Sequence, residues 1–340
     1  MTRSTIHDVA RVANVSLSTV DRVLNGRNSV RQSTREKVEE AVRSLGYVRN
    51  TAAANLSRQR RTRFVFLLPG GANSFMRNLE DAVVSYAKPL IAEGVDVVVR
   101  TVPAFDGAAL SRELNALDTD ALDGVAFVAV DAPEVRDAVQ MLRRKDLPVV
   151  TLVSDLPPDL RAHFIGIDNI WAGRTAGRLL GRFCGATPGK IAVVAGALMM
   201  QDHAARYAGF RQVLTEDFPH LEPLPPIEAR DDAQLAEGRL TDLLASTDGI
   251  VGIYSLGAGN RGVVAALKTI RSVPPVVVHE LTEHSRDWLL KGEIDAVIRQ
   301  DPAREARSAV RTLLALSLGK HLNKDENRVG IEIFLRDNLP

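Results

Sequence analysis

Four side chains near the amino terminus have the chemistry of a DNA contact. Leu17, Ser18, Thr19 and Arg22 fall on one flank of a short predicted helix. An arginine guanidinium presents a planar fork to a guanine edge or a phosphate, and serine and threonine hydroxyls bond phosphate oxygens. A leucine offers only apolar contact, for example to a thymine methyl. The four together predict a surface that binds nucleic acid.

Two short amphipathic helices would position this flank. Apolar residues recur at helical spacing on both, at Ile6, Val9, Ala10 and Ala13, and then at Val20, Val23 and Leu24. Thr5 and Asp8 form the T-x-x-D pattern of a capped helix start, and Ser16 is a suitable N-cap for the second helix. This layout predicts a helix-turn-helix whose second helix enters a major groove. The alternative is an ordinary helical hairpin.

A third helix and a basic linker follow. The third helix is predicted from Gln32 to Leu45 and ends at Gly46. Residues 50–58 favour helix but include only one large apolar side chain, Leu56, and a helix this short is marginal alone in water. Residues 50–63 are therefore either a flexible tether or a helix that forms only with a partner.

The charge of the chain is divided between its two parts. Residues 1–61 contain twelve Lys/Arg and five Asp/Glu, a balance of +7, so the other 279 residues sum to −6 within an overall charge of +1. A basic amino-terminal part on an acidic body suggests a polyanionic partner for that part alone. Cys184 is the only cysteine, which excludes an internal disulfide. No signal peptide or membrane span is evident, so we expect a cytoplasmic protein.

The chain from Phe64 onward alternates short apolar runs with helical stretches. Continuous apolar runs are typical of parallel strands buried on both faces. The predicted strands are Phe64–Leu68, Val95–Val99, Gly124–Val128, Pro148–Val153, Phe164–Ile167, Ile191–Ala195, Ile250–Tyr254, Val276–His279 and Ala296–Ile298. Nine or ten strands exceed one six-stranded sheet, so the body is predicted to be an α/β structure of two doubly wound parallel-sheet lobes.

The whole chain resembles the LacI/GalR family of transcription regulators. The head carries T-I-H-D-V-A-R-V-A-N-V-S-L-S-T-V-D-R-V-L-N-G, and the body carries N-S-F-M at 73–76, G-I-D-N at 166–169, R-Y-A-G-F at 206–210, Y-S-L-G-A-G-N-R-G at 254–262, H-E-L-T at 279–282 and Q-D-P at 300–302. The resemblance implies an all-α helix-turn-helix headpiece and a body with the periplasmic binding protein-like fold of ribose-binding proteins.

The resemblance also implies domain boundaries. The headpiece would span residues 1–49 and the hinge helix with its linker residues 50–62. The effector-binding and dimerisation domain would span residues 63–340. Its first lobe would comprise about 63–163 and 299–325, and its second lobe about 164–298 and 326–340.

The DNA-contacting residues are carried over from the family motif. Leu17 and Ser18 would read bases beside Arg22, while Thr5, Ser16, Thr19, Asn25 and Thr34 would contact phosphates, which set register rather than sequence. Asn50, Ala53 and Leu56 would belong to the hinge helix at the minor groove. Leu56 would wedge between base pairs at the operator centre and kink the duplex; the alternative is a linker leucine that packs on its own lobe. Asp21 departs from the small hydroxyl residue common in the family, which puts a phosphate contact there in doubt.

The effector-binding residues are also carried over from the family, and they follow predicted strands, where open α/β sheets bind ligands. The predicted set is Asn73, Phe75, Met76, Ser154, Asp155, Arg206, Ser255, Glu280 and Gln300. Polar members would bond the hydroxyls of a sugar or polyol, with Phe75 and Met76 as an apolar wall. Arg230 and Asp231 lie where relatives place an aromatic stacking residue, so stacking from that side is doubtful.

The resemblance implies a homodimeric regulator, most simply a repressor, that binds a near-palindromic double-stranded DNA operator under the control of a small effector. We expect no catalytic residue, cofactor or metal. The alternative function is a two-lobed α/β sugar-processing enzyme with an appended DNA-binding head, although neither a G-x-S-x-G elbow nor a P-loop is present in the sequence. Whether the effector induces or corepresses is not fixed by the sequence.

Overall fold

The computed structural model describes residues 5–24, 32–45, 61–320 and 329–340. The chain divides into two compact units, residues 1–61 and residues 62–340. The division lies next to the boundary predicted between linker and body. Within the described residues, no helix is both long enough and apolar enough to cross a bilayer.

The amino-terminal unit contains three described helices: α1 Ile6–Ala13, α2 Leu17–Leu24 and α3 Gln32–Ser44. Thr5 and Asp8 form the predicted capping box, in which the Thr5 backbone N–H donates to the Asp8 carboxylate at 2.9 Å. Asn14 takes a left-handed conformation with φ of 51° and turns the chain between α1 and α2. The helices enclose a small apolar core of Val9, Ala10, Ala13, Val20, Val23, Val38 and Ala41.

The first lobe of the body is built on a five-stranded sheet in which all strand pairs are parallel, in the order β2-β1-β3-β4-β5. The strands are β1 Thr62–Pro69, β2 Val95–Val102, β3 Gly124–Val128, β4 Val149–Leu152 and β5 His163–Ile165. The helices packed on the sheet are α4 Ser74–Ala87, α5 Gly107–Asn115, α6 Pro133–Arg144 and α12 Pro302–Ser317, with a 3₁₀ segment at Lys88–Glu93.

The second lobe is built on a seven-stranded sheet with the order β12-β11-β10-β9-β6-β7, in which β8 also pairs with β6. Its strands are β6 Gly189–Ala195, β7 Leu221–Pro223, β8 Ile227–Glu228, β9 Ile250–Ser255, β10 Val276–His279, β11 Ala296–Arg299 and β12 Glu332–Phe334. Only β12 runs antiparallel to its neighbour. The helices are α7 Asn169–Cys184, α8 Gln201–Asp217, α9 Ala233–Ser246, α10 Asn260–Leu267 and α11 Glu283–Lys291, with a short 3₁₀ segment at Arg336–Asn338.

The chain passes between the two lobes at three places. The first crossing joins β5 to α7, and the second joins β11 to α12. The third lies between α12 and β12 and includes residues 321–328, which are outside the described ranges. The predicted lobe limits at 163/164 and 298/299 fall beside the first two crossings. The predicted fold class, two doubly wound parallel-sheet lobes behind a helix-turn-helix headpiece, is confirmed.

Glycines allow α7 and α8 to cross at very short range. A Cβ at Gly173 of α7 would lie 1.8 Å from the backbone oxygen of Arg206, and a Cβ at Gly209 of α8 would lie 2.1 Å from that of Ile170. No side chain fits at either position, because backbone atoms cannot move aside as the end of a flexible side chain can. The crossing therefore fixes the backbone of Arg206 against α7.

We predict that Gly173→Ala destabilises the body by at least about 2 kcal/mol, because the added methyl must push the two helices apart. Gly238→Ala is the matched control, since it lies in the middle of α9 with nothing within 4 Å of its missing Cβ. That control should stabilise the protein by about 0.5–1 kcal/mol through helix propensity. Urea unfolding followed by circular dichroism measures both. Equal midpoints for the two variants would show that the crossing is not tight.

Candidate functional site

A cavity of about 310 Å³ lies between the carboxyl ends of the two sheets. The first lobe contributes the segments after β1, β2, β3 and β4, and the second contributes the start of α8 and the segments after β8, β9, β10 and β11. Carboxyl ends of parallel strands are the usual place for a ligand in open α/β sheets. Five non-glycine residues in left-handed conformations line this cavity, namely Phe105, Val153, Arg230, Asp231 and Glu280. Backbone strain is thus concentrated around it.

The guanidinium of Arg206 is buried at this cavity, with the residue only 2% exposed. Its Nε donates to the amide oxygen of Asn169 at 2.8 Å, and its Nη1 donates to the backbone oxygen of Leu256 at 2.8 Å. Nη2 lies 3.7 Å from Oε1 of Glu280 and has no hydrogen-bond partner among the described residues. Two bonds therefore fix the plane of the guanidinium, while its Nη2 amino group remains without an acceptor among the described residues.

Glu280 and Gln300 form a pair beside Arg206. The Gln300 side-chain amide donates to Oε1 of Glu280 at 2.8 Å. Burial raises the pKa of Glu280 to about 7, against the lowering effect of Arg206 and Gln300. The amide oxygen of Gln300 is buried and has no partner in the described part of the chain. Behind this pair, burial and then the charge of Glu280 raise the pKa of Glu305, which is fully buried.

A second set of acidic groups lies at the start of α8 and after β8. Asp202 is 5% exposed, and its Oδ2 lies 3.7 Å from Nε2 of His203. Its Oδ1 has no hydrogen-bond partner among the residues described. Asp231 accepts from the Asn73 side-chain amide at 2.8 Å and from the Ala258 backbone N–H at 3.2 Å. Because Asn73 belongs to the first lobe and Asp231 to the second, their hydrogen bond joins the two lobes across the cavity.

The apolar part of the cavity has side chains from both lobes, and several of them are aromatic. Phe75, Phe105 and the non-aromatic Met76 come from the first lobe, and Trp288 of α11 comes from the second. The Trp288 ring stacks on His284, with 5.9 Å between centroids and 23° between planes. An aromatic ring can cover the apolar face of a sugar ring, so the cavity combines stacking surfaces with unpartnered polar atoms.

Comparison with known proteins identifies both parts of the chain. Residues 64–321 match the model of the periplasmic binding protein domain, and residues 5–50 match that of the bacterial regulatory proteins of the lacI family. The chain belongs to the periplasmic binding protein domain family. Its amino-terminal unit is a lacI-family DNA-binding domain, so the resemblance stated from the sequence is confirmed.

Curated relatives of the chain are named as transcription regulators or control proteins. The chain is 30% identical to catabolite control protein A of Priestia megaterium over 220 residues, which is 62% of this chain and 61% of that relative. It is 25% identical to the HTH-type transcriptional regulator DegA of Bacillus subtilis over 249 residues, 72% of each chain. It spans about half of the regulator pepR1 of Lactobacillus delbrueckii, 47% of that length.

Solved structures of binding proteins share the fold of the body. A glucose-galactose binding protein from Geobacillus stearothermophilus superposes with a TM-score of 0.75 at 21% identity, covering 83% of this chain and 99% of that one. A solute-binding protein from Burkholderia graminis in complex with D-arabinose gives 0.74 at 19% identity, covering 82% and 96%. At these identities the likeness shows the periplasmic binding protein fold alone.

Six of the nine predicted effector residues line the cavity of this lacI-family protein: Asn73, Phe75, Met76, Arg206, Glu280 and Gln300. Asn73 lines the cavity, and both of its polar groups have protein partners. Its oxygen accepts from the backbone N–H groups of Phe75 and Met76 as the N-cap of α4, and its amide donates to Asp231.

Ser154, Asp155 and Ser255 do not line the cavity, which corrects their prediction. Asp155 instead holds Arg161 in a two-point ion pair at 2.8 and 2.7 Å. Ser154 is fully buried. The Ser255 hydroxyl donates to the Asn260 side-chain oxygen at 2.6 Å. Successive side chains at the end of a strand point to opposite faces of the sheet, so a position after a strand does not by itself place a side chain in the cleft.

Sequence reasoning missed Asp202, His203, Phe105 and Trp288, which all line the cavity. A signal existed for the first two, because residues three and four positions before Arg206 share its face of α8. Trp288 supplies the aromatic ring that the sequence lacks at Arg230 and Asp231. Its position two turns into a helix after β10 gave no comparable signal.

Seven of the predicted DNA contacts lie in described residues, at the capped starts of α1 and α2, within α2 and on α3. Thr5 caps α1, and the Ser16 hydroxyl accepts from the Thr19 backbone N–H at 3.2 Å, which caps α2. Leu17 is 40% exposed at the start of α2. Ser18 and Arg22 belong to α2 and Thr34 to α3. The remaining predicted contacts, Asn25, Asn50, Ala53 and Leu56, lie outside the described residues.

We predict that Glu280 makes the stability of the protein fall as pH rises. Its pKa of about 7 exceeds the usual 4.5, so the folded state retains a proton that the unfolded state releases between these values. The stabilisation that the Glu280 proton gives the folded state is therefore fully present below about pH 4.5. This part of the free energy of unfolding falls by up to about 3 kcal/mol as the pH rises to 7.

Thermal unfolding of the full-length protein at about pH 5 and about pH 8 measures this effect. The melting temperature of Glu280→Gln minus that of the parent protein should be several degrees higher at about pH 8 than at about pH 5. Glu216→Gln, on the exposed part of α8, is the matched control and should leave the pH dependence unchanged. A parent and a Glu280→Gln variant with parallel pH profiles would contradict the prediction.

Proposed function

We propose that this protein is a homodimeric, cytoplasmic transcription regulator, most simply a repressor, whose affinity for a near-palindromic operator is set by a sugar or polyol in the interlobe cavity. It acts by binding and not by catalysis. The observation that carries the proposal is the buried Arg206 guanidinium at the cavity, oriented by two hydrogen bonds and with its Nη2 amino group unpartnered among the described residues, in a chain whose residues 5–50 match the lacI-family model.

Charge and local structure support DNA binding by the headpiece. Residues 1–61 carry a net charge of +7, which favours binding to phosphates. The capped start of α2 places the partly exposed Leu17 on the first turn of the predicted recognition helix. The first turn is where helix-turn-helix proteins contact base edges. The relatives named above are themselves HTH-type regulators and control proteins.

The unpartnered atoms of the cavity support a polyhydroxylated effector. Arg206 offers a donor, while Asp202 and Gln300 each offer a buried acceptor without a partner in the described chain. A hydroxyl group both donates and accepts, so neighbouring hydroxyls on one ring can satisfy all three. Aromatic rings on both sides suit the apolar faces of that ring. Structural neighbours include proteins named for glucose-galactose and D-arabinose binding, which agrees with this class.

Exposed apolar side chains of the first lobe support a dimer. Strand β2 forms an edge of the five-stranded sheet, where Val98 is 45% exposed. Val84 of α4 and Ile91 of the 3₁₀ segment that precedes β2 are 53% and 48% exposed. A second copy that covered these side chains would remove apolar surface from water and would set two headpieces on one operator.

We predict that Arg206→Ala keeps operator binding and loses the response to the effector. The operator is first selected from random DNA by the full-length protein, and effectors are found by thermal shift with sugars and polyols. Fluorescence anisotropy then measures operator affinity with and without the best compound. Arg178→Ala is the matched control, because Arg178 of α7 forms an exposed ion pair with Asp217 of α8. Its response to the effector should equal that of the parent protein. A normal response by Arg206→Ala would exclude Arg206 from the effector site.

We also predict that Leu56→Ala weakens operator binding by at least tenfold and leaves effector binding unchanged. Insertion of an apolar side chain between base pairs stabilises a kinked duplex, and alanine is too short to support that wedge. A gel-shift titration with the selected operator measures the loss, and calorimetry checks effector binding. Unchanged operator affinity would remove the wedge, and selection of no operator at all by the parent protein would overturn the proposed function.

A further inference from the structure

Carboxyl groups outnumber guanidinium groups in the inner wall of the cavity. Asp202, Asp231 and Glu280 line it, whereas the buried basic side chains of the described lining are Arg206, His203 and His279. Burial and then the charge of Arg206 hold the pKa of His279 well below its usual value, so this imidazole adds no positive charge. Glu305 adds a fourth carboxyl group directly behind Glu280. The other basic side chains of the lining, Arg230, Arg261 and His284, lie on the exposed rim together with Asp232, where water screens them.

The protein's own contacts offset this excess of acids only in part. Arg206 approaches Glu280 only to 3.7 Å and gives its hydrogen bonds to an amide and a backbone oxygen. His203 approaches Asp202 only to 3.7 Å. Burial raises the pKa values of both Glu280 and Asp231, and the charge of Asp202 raises them further. Carboxylates in a site of low polarity are costly unless a cation joins them or a proton neutralises them.

Two acceptors without a hydrogen-bond partner among the described residues lie at this cavity. Oδ1 of Asp202 and Oε1 of Gln300 are buried acceptors without a partner in the part of the chain that the structure describes, and both residues line the cavity. Because Gln300 is uncharged, the missing partner of its amide oxygen is an observation independent of the cluster of acids. A ligand with a cationic N–H donor at Asp202 and a further donor at Gln300 would satisfy both acceptors and reduce the charge imbalance.

We propose that the effector is a polyhydroxylated ring bearing a protonated amine, an amino sugar or aminocyclitol, whose ammonium group contacts Asp202. This inference rests on the proposed function and narrows its ligand class. The hydroxyls of the ring bond Arg206 and Gln300, and its apolar face lies against the aromatic rings of the cavity. Sugar phosphates and sugar acids are disfavoured, because they add negative charge beside buried carboxylates.

Matched pairs of sugars test the inference by isothermal titration calorimetry with the full-length protein near neutral pH. The pairs are D-glucosamine with D-glucose, D-galactosamine with D-galactose, and D-mannosamine with D-mannose. The N-acetyl derivative of each amine retains the nitrogen and removes the charge. We expect at least one amine to bind at least tenfold tighter than both its neutral partner and its N-acetyl form, and the 6-phosphates to bind more weakly still.

Asp202→Asn should reduce that preference at least tenfold. Asp217→Asn is the matched control, because Asp217 lies at the other end of the same helix in an exposed ion pair with Arg178. If Asp202→Asn does not fold, the sugar pairs with the parent protein still decide. The proposal is overturned if no amine in the set binds, if a neutral sugar binds as tightly as its amine, or if the preference persists in Asp202→Asn.

Failure of this inference differs from failure of the proposed function. A neutral sugar that binds tightly and changes operator affinity would leave an effector-controlled regulator in place while excluding the amine. Loss of sequence-selective DNA binding under all conditions would instead remove the regulator, whatever the cavity binds.

Discussion

The buried guanidinium of Arg206 is the constraint on which the arrangement of the cavity depends. A charge that is 2% exposed requires partners, and Asn169, Leu256 and Glu280 meet that requirement from three separate segments. The backbone of Arg206 can reach this depth only because Gly173 lets α7 and α8 approach to backbone contact. The absence of a side chain at Gly173 thus helps to determine where the guanidinium of Arg206 lies.

Some residues around Arg206 have backbone φ values in the left-handed region, which residues other than glycine rarely adopt. Glu280 has a φ of 70°, and Arg230 and Asp231 have φ values of 50° and 59°. Residues with a Cβ avoid this region, and their neighbours must compensate for the strain. At Glu280 the compensation is visible, since its backbone N–H donates to Ile298 at 2.9 Å while Gln300 binds its carboxylate. Strain at several positions around one cavity indicates that its geometry is imposed by the fold.

Local patterns predicted the fold better than the site. Nine apolar runs corresponded to nine of the twelve strands described, because a strand buried on both faces must be continuously apolar. The missed strands β7, β8 and β12 are two or three residues long and only partly buried, too short for any pattern. Asp155 illustrates the limit for the site. Its position after a strand was predicted correctly, but only the tertiary structure shows that Arg161 holds it away from the cavity.

The placement of the cavity residues explains how a ligand could act on the whole body. Asn169 directly follows the first crossing between the lobes, and Gln300 lies within the second. Both reach the neighbourhood of Arg206, one by accepting from its Nε and the other through Glu280. A ligand bound to Arg206 and Gln300 would therefore contact the second crossing through Gln300 and act on the first through the Arg206–Asn169 hydrogen bond. The Asn73–Asp231 hydrogen bond also joins the first lobe to the second across the cavity. Any molecule that changes the distance between these residues shifts the equilibrium between open and closed lobes, and the size of that shift is limited by its difference in affinity for the two.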